Sequence, residues 1–178
     1  MKTALLLIGT FLLILTGCGS SKNNPTTPPT QNTEKISNIV IDRIGNELVT
    51  HPNREVISTQ ELFETTISDL EETANAIDSN AFRDKEQVLS WIKALNDVNI
   101  DFEKDNILIY TFKESSICDY KENTVLTNDK QISITFSQTS QNCDRVMVLY
   151  YLAYKVSKDI EKVRIKAFDH ESVVIDMK

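Results

Sequence analysis

One stretch of the chain, residues 146–156, limits the possible folds more than any other. It reads VMVLYYLAYKV and is apolar at both odd and even positions as far as Lys155. Successive side chains of a strand point to opposite faces of a sheet, so a strand of this composition needs cover on both faces. We therefore predict that residues 146–156 form the central strand of a sheet.

Two segments before this strand carry apolar residues at spacings of three and four, which predicts amphipathic helices over about 59–78 and 85–95. The apolar stripe of the first helix consists of Phe63, Ile67, Leu70, Ala74 and Ile77. The stripe of the second consists of Val88, Trp91, Ile92 and Leu95. Ser58 with Glu61, and Asp84 with Gln87, have the spacing of helix N-terminal caps.

The other face of the first helix is acidic, and its residues are Glu61, Glu64, Glu71 and Glu72. Such a face is typical of a helix surface in water, and an acidic docking site is the alternative.

The remaining segments predict strands. Alternating or continuous apolar residues with high strand propensity mark 39–41, 48–49, 56–57, 98–102, 106–112, 124–127, 132–136, 163–167 and 173–175. Gly45-Asn46 and Asn128-Asp129 are the turn signals between neighbouring strands. Helices followed by a run of strands predict an α+β fold, with two N-terminal helices packed on a mainly antiparallel sheet.

The chain begins with a basic residue, Lys2, and an apolar run over 4–15. This run is shorter than the roughly 20 residues that a membrane-spanning helix needs, and it is typical of a secretory signal. It ends in Leu-Thr-Gly-Cys at 15–18, which resembles the lipobox of bacterial lipoproteins. The resemblance implies cleavage after residue 17 and a diacylglycerol on Cys18. In Gram-negative cells, Gly19 in place of Asp after this cysteine resembles the form that is sent to the outer membrane.

Residues 18–35 follow as a polar linker that contains three of the four prolines of the chain. Such a composition cannot bury enough apolar surface to offset the entropy of ordering. Residues 36–178 suit one globular domain. The sequence thus divides into a signal peptide over 1–17, a lipidated linker over 18–35 and a single domain.

Charge and glycine content exclude several classes of function. The chain has 26 acidic and 19 basic residues, and removal of Lys2 with the leader gives the mature chain a formal charge of −8. This charge argues against nucleic acid as a partner and against attachment to a membrane through a basic surface. Of four glycines, only Gly45 lies in the domain. Glycine-rich loops that hold phosphate groups are therefore ruled out.

Cys118 and Cys143 are the two cysteines of the exported domain. An even pair in an oxidising compartment predicts a disulfide. A metal or redox pair is the alternative, although the chain has no Cys-x-x-Cys and no histidine near either cysteine.

No catalytic motif is present. The two histidines, His51 and His170, have no serine or cysteine at a known motif spacing. Asp97, Asn99 and Asp101 have the spacing of the start of a calcium loop, but Phe102 occupies the position that requires glycine. We expect no metal, no cofactor and no enzymatic activity. A hydrolase that uses unrecognised carboxylates is an alternative.

Three segments read EVIS, NIDFEKDNILIYTF and KVRIK, within residues 55–167. Together with the order of elements, they resemble the C-terminal domain of the PrcB family, bacterial lipoproteins that accompany a cell-surface protease. The resemblance implies a non-catalytic lipoprotein that binds or stabilises a protein partner. A carrier of a small apolar ligand is the other non-enzymatic alternative.

The candidate partner-binding site is a basic run near the end of the chain, composed of Lys155, Lys158, Lys162, Arg164 and Lys166. The last three alternate with apolar residues, so they share one face of a strand and favour an acidic partner. An ordinary solvated strand face, with lysines that prevent aggregation, is the alternative.

Overall fold

The computed structural model describes residues 35–44, 54–77, 82–115, 119–140 and 143–178. The predicted signal peptide, Cys18, most of the linker, the Gly45-Asn46 turn with strand 48–49, His51 and Cys118 lie outside these residues. Within them, no helix is both long enough and apolar enough to cross a membrane.

The described residues form two helices and eight strands, whose bounds are β1 Ile36–Ile44, β2 Arg54–Ile57, α1 Gln60–Ala76, α2 Phe82–Asp97, β3 Asp105–Glu114, β4 Tyr120–Asn128, β5 Gln131–Gln138, β6 Val148–Ser157, β7 Lys162–Ala167 and β8 Val173–Asp176. Two four-stranded sheets result. The inner sheet has the order β1-β6-β3-β2, and the outer sheet has the order β4-β5-β7-β8. All pairs are antiparallel except β5 with β7. The predicted α+β class with a mainly antiparallel arrangement is confirmed.

Strand β6 occupies the predicted central position, because β1 and β3 pair with its two edges. Its side chains enter two separate apolar cores. Leu149, Tyr151 and Ala153 face the helices, whereas Tyr150 and Leu152 face the outer sheet. The inner sheet is therefore the middle of three layers, which explains why residues 148–154 are all buried.

The helices cover one face of the inner sheet, as predicted. Their buried residues Leu70, Ala74, Val88, Trp91 and Leu95 belong to the same core as the helix-facing side chains of the sheet. The Gln87 amide of α2 also donates a hydrogen bond of 2.5 Å to the backbone oxygen of Arg43 in β1.

Both predicted helix caps are wrong in position. The hydroxyl of Thr59, and not that of Ser58, accepts a hydrogen bond of 3.2 Å from the backbone N–H of Leu62 and caps α1. Thr59 has extended backbone angles, so its side chain can fold back over the first turn. Asp84 is inside the first turn of α2, which begins at Phe82.

The predicted strand over 98–102 is also wrong, because this segment forms a bend and a turn. The Asp101 carboxylate accepts a hydrogen bond of 3.1 Å from the backbone N–H of Glu103, and the Asp101 carbonyl accepts one of 2.8 Å from Asp105. Local hydrogen bonds from an aspartate of this kind favour a turn over a strand. They leave Ile100 and Phe102 only partly buried against the helix-side core.

Candidate functional site

The outward face of β7 carries three basic side chains. Val163, Ile165 and Ala167 point into the core between the sheets, while Lys162, Arg164 and Lys166 are exposed. This alternation follows from the two-residue period of a strand that is covered on one face. The helices lie on the far side of the inner sheet, so β7 presents these three residues away from them.

Neighbouring strands add polar side chains to the same face. The parallel register with β5 places Ser133 beside Arg164 and Thr135 beside Lys166. On β4, Lys121 is exposed and pairs with Ser137 of β5. We call the outward side of the outer sheet the basic face, and define it by Lys121, Ser133, Thr135, Lys162, Arg164 and Lys166.

The positive charges of the basic face are poorly neutralised within the described part of the chain. Lys162 has an acidic neighbour, since its Nζ lies 3.9 Å from the Oδ1 of Asp176, at the outer limit of an ion pair. Among the described residues, no carboxylate forms an ion pair with Lys121, Arg164 or Lys166. The guanidinium of Arg164 presents five donors in a planar fork that suits carboxylates.

The basic residues beside this face are paired. Lys130 and Lys178 place their ammonium groups 2.8 and 3.0 Å from the Oε1 of Glu161. Hydrogen bonds and charge from Lys130 and Lys178 lower the pKa of Glu161 to about 2. Lys130 and Lys178 are therefore neutralised beside the basic face, whereas, within the described residues, Lys121, Arg164 and Lys166 on it are not.

Two of the five predicted patch residues lie elsewhere. Lys155 of β6 donates a hydrogen bond of 2.9 Å to the backbone oxygen of Asn99 and forms an ion pair of 3.0 Å with Asp105. Lys158 donates hydrogen bonds to the backbone oxygens of Ser58 and Phe102. Both lysines hold the turn between α2 and β3 against the end of β6.

The basic run therefore divides into two groups, with Lys155 and Lys158 apart from Lys162, Arg164 and Lys166, which share the outward face of β7. The separation is caused by the crossing of the chain between Ser157, where β6 ends in the inner sheet, and Lys162, where β7 begins in the outer sheet. The fully buried Ile160 anchors this crossing between the two sheets. Residues that are close in sequence therefore belong to different layers.

The opposite side of the domain is acidic. Helix α1 contains no lysine or arginine, and its outward residues Glu61, Glu64, Glu71 and Glu72 are exposed. Charge is thus separated across the three layers, with negative charge on α1 and positive charge on the basic face.

Only one of the two cysteines in the predicted disulfide, Cys143, lies within the described residues. Cys143 is partly buried in the segment before β6, and its sulfur lies 3.1 Å from the amide nitrogen of Gln138. Cys118 lies outside the described residues, so the Cys118–Cys143 pairing stays a prediction.

His170, the histidine within the described residues, lies beside a carboxylate and an aromatic ring. His170 is exposed, its Nε2 lies 2.9 Å from the Oε2 of Glu114, and its ring meets Phe112 edge-on. Within the described ranges, no group of three His, Cys, Asp or Glu side chains could hold a metal ion.

Sequence reasoning missed a set of polar residues between the two sheets. Glu122 and Thr124 of β4 point inward, on the same side as Tyr150 and Tyr154 of β6. One sequence feature points to these polar residues. The segment YKENT, residues 120–124, has the two-residue period of a strand, which places Tyr120, Glu122 and Thr124 on one face. That signal does not reveal which face is buried.

No protein family, curated protein or solved structure matches this chain. A functional conclusion therefore depends on the charges and contacts of its own residues.

Proposed function

We propose that this chain is a non-catalytic lipoprotein of the bacterial cell envelope that binds another envelope protein through the basic face. The observation that carries this proposal is the group of exposed cations, Lys121, Arg164 and Lys166, that lack an ionic partner among the described residues of an acidic protein. The implied partner surface is acidic.

The basic face presents groups of the kind that contact another protein. Serine and threonine hydroxyls stand between the cations and can donate or accept hydrogen bonds, while Val174 of β8 adds an exposed apolar side chain, 40% accessible, opposite Arg164. Complementary charge of this kind speeds association and selects the orientation of the partner. The net charge of −8 opposes nucleic acid, because phosphate backbones are strongly negative.

The end of the linker is fixed beside this face. Lys35 donates hydrogen bonds to the Oδ2 of Asp159, at 2.6 Å, and to the backbone oxygen of Asp129, at 3.2 Å. These two contacts lie in the turns that precede β7 and β5. A lipid on Cys18 would thus tether the domain at one end of its sheets and leave the basic face open at the side. The resemblance to the PrcB family adds an envelope protease as one class of partner.

The binding site is tested by affinity purification from crosslinked envelopes, comparing the wild type with a Lys162/Arg164/Lys166→Glu variant. A matched control, Lys93/Lys104/Lys113→Glu, makes the same change of charge on exposed lysines outside the outer sheet. We expect one acidic partner to be lost in the first variant and retained in the control, and its crosslinking yield to fall as the salt concentration during crosslinking rises. Retention of the partner in both variants would place the binding site elsewhere.

The anchor is tested separately by Cys18→Ala. We expect this change to move the protein from the membrane fraction to the soluble fraction with an unchanged circular dichroism spectrum, because the lipid is the proposed attachment. An unmodified Cys18 thiol in mature protein from cells would contradict lipidation without bearing on the basic face.

A further inference from the structure

Strand β8 lies at one edge of the outer sheet, and among the described residues its partner strand is β7 alone. The backbone N–H of Met177, directly after β8, donates a hydrogen bond of 3.0 Å to the carbonyl of Glu161, directly before β7. In an antiparallel pair, alternate residues turn their N–H and C=O groups toward the partner strand. Ile175 therefore faces β7 as Met177 does, whereas the backbone groups of Val174 and Asp176 point to the open side of the sheet.

These two residues give the outer sheet an open edge. No described residue forms a hydrogen bond with the outward backbone groups of Val174 or Asp176, and both side chains are exposed. A strand edge with free N–H and C=O groups can pair with an extended segment of another chain. Strand β8 has four residues, so backbone pairing here supplies few hydrogen bonds. Side-chain contacts must therefore decide which segment binds.

The side chains next to the open edge connect it with the basic face. The register of β7 with β8 places Arg164 opposite Val174, and its continuation places Lys166 opposite Ser172. Ser172 and Val174 are uncharged and exposed, so no negative charge stands between these two cations and the edge. A strand added at the edge would lie two strand spacings, about 10 Å, from β7. A glutamate and a long basic side chain together span that distance.

The charge at the end of β8 is of the opposite sign. Asp176 lies opposite Lys162, and its Oδ1 is 3.9 Å from the Nζ of that lysine. A carboxylate on an added strand would be repelled beside Asp176, because like charges directly opposite each other destabilise a strand pair. The edge therefore favours acidic residues at one end and a neutral or basic residue at the other.

We propose that the protein partner of the basic face adds an acidic, extended segment to β8 as an additional strand of the outer sheet. This inference rests on the proposed function, because the acidic partner is the one expected for the basic face. The carboxylates of the segment lie beside Ser172 and Val174, where they reach the two nearest cations of β7. Backbone hydrogen bonds to β8 fix the direction of the segment, and the cations select its sequence.

Val174→Pro tests the strand pairing without a change of charge. The N–H of Val174 points away from β7, and edge strands accept proline where the N–H faces solvent. We expect Val174→Pro to lower the crosslinking yield of the partner in envelopes by about tenfold or more, and the control Val174→Thr, which keeps the N–H, to match the wild type. Circular dichroism checks the fold of both variants. A partner that Val174→Pro retains and the Lys162/Arg164/Lys166→Glu variant loses would overturn strand addition and leave the proposed function standing.

A synthetic peptide gives a second measurement that needs no variant. The probe is a peptide in which glutamate alternates with threonine. Its controls are the same peptide with lysine in place of glutamate, and the acidic peptide with methylated backbone nitrogens. NMR of the purified protein in detergent micelles follows the amide signals of Val174 and Asp176. We expect the acidic peptide to shift both signals and to slow their hydrogen exchange, and neither control to do so.

Three results of the peptide experiment would overturn the proposal. The first is an acidic peptide that leaves the exchange of both amides unchanged, and the second is an equal effect of the methylated or the lysine peptide. The third is a shift of the Val174 and Asp176 signals with protein concentration in the absence of peptide, which would make a second copy of this chain the occupant of the edge.

Discussion

The indole of Trp91 stacks on the ring of Tyr151, with ring centroids 4.4 Å apart and planes inclined by 10°. This contact joins α2 to the central strand β6. The indole N–H also donates a hydrogen bond of 2.9 Å to the Oδ2 of Asp42 in β1. One side chain therefore connects a helix with two neighbouring strands of the inner sheet.

Replacement of Trp91 by phenylalanine should lower the free energy of unfolding by about 1–3 kcal/mol, because it removes the hydrogen bond to the partly buried Asp42 carboxylate and leaves a smaller ring. Urea denaturation followed by circular dichroism measures this change. Leu89→Ala is the control on the same helix, since Leu89 is 45% exposed and should change stability by less than about 0.5 kcal/mol. Equal effects of the two changes would contradict the buried contact.

Thr59→Ala should destabilise the protein by about 1 kcal/mol, because the Thr59 hydroxyl caps the first turn of α1. Ser58→Ala is the matched control, since it removes a hydroxyl from the preceding residue and should have little effect. The same denaturation experiment compares the two variants. A larger loss of stability in Ser58→Ala than in Thr59→Ala would mean that Ser58 caps the helix, as the sequence predicts.

The ion pairs of Glu161 predict a specific pH dependence. Hydrogen bonds from Lys130 and Lys178 hold the pKa of Glu161 at about 2, below its ordinary value of 4.5. A carboxyl whose pKa is lower in the folded state stabilises the protein above about pH 4.5, and this contribution is lost as the pH falls from 4.5 toward 2. Carbon NMR of the side-chain carboxyl groups measures the titration directly.

Lys130→Gln should raise the pKa of Glu161 toward its ordinary value, whereas Lys104→Gln, which removes a lysine paired with Asp101, should leave it unchanged. A Glu161 titration near pH 4.5 in the wild type would show that these lysines do not hold the carboxylate in solution.

A Cys118–Cys143 disulfide would close a loop of about 25 residues and stabilise the domain by about 3.5 kcal/mol on the chain-entropy relation. Peptide mapping without reductant should recover the two cysteines in one crosslinked fragment, and Cys143→Ser should lower the melting temperature. Alkylation of both thiols in native, unreduced protein would contradict the pairing.

The amino-acid composition and the spacing of the apolar residues predict those parts of the fold that depend only on which residues are buried. The two-sided apolar run predicts β6 and its central place, and the helical stripes predict α1 and α2. The division into two sheets does not follow from such patterns, because they show which faces are buried and not which strands pair. The parallel pairing of β5 with β7 joins two strands of the outer sheet that are separated along the chain by β6 of the inner sheet.

Only part of the basic face could be predicted from the sequence. Alternation along β7 predicts that Lys162, Arg164 and Lys166 share a face, because a one-residue shift would bury all three. Lys155 and Lys158 precede a change of layer that no local pattern marks, and their partners are backbone oxygens of distant residues. No local pattern predicts the contact between Asn38 of β1 and Glu122 of β4 either, because the two residues are far apart in sequence.

The pairing of β1 with β6 gives this domain a high contact order. Ile36, at the start of β1, lies opposite Val156, near the end of β6, so the inner sheet is complete only when distant parts of the chain have met. Closing so long a loop costs entropy before the pairing offsets it, which makes folding slow compared with that of a helical bundle. A chain that emerges amino terminus first leaves β1 without its partner strand until β6 has followed. Until then the hydrogen-bonding edge of β1 is open, and an open strand edge can pair with another chain.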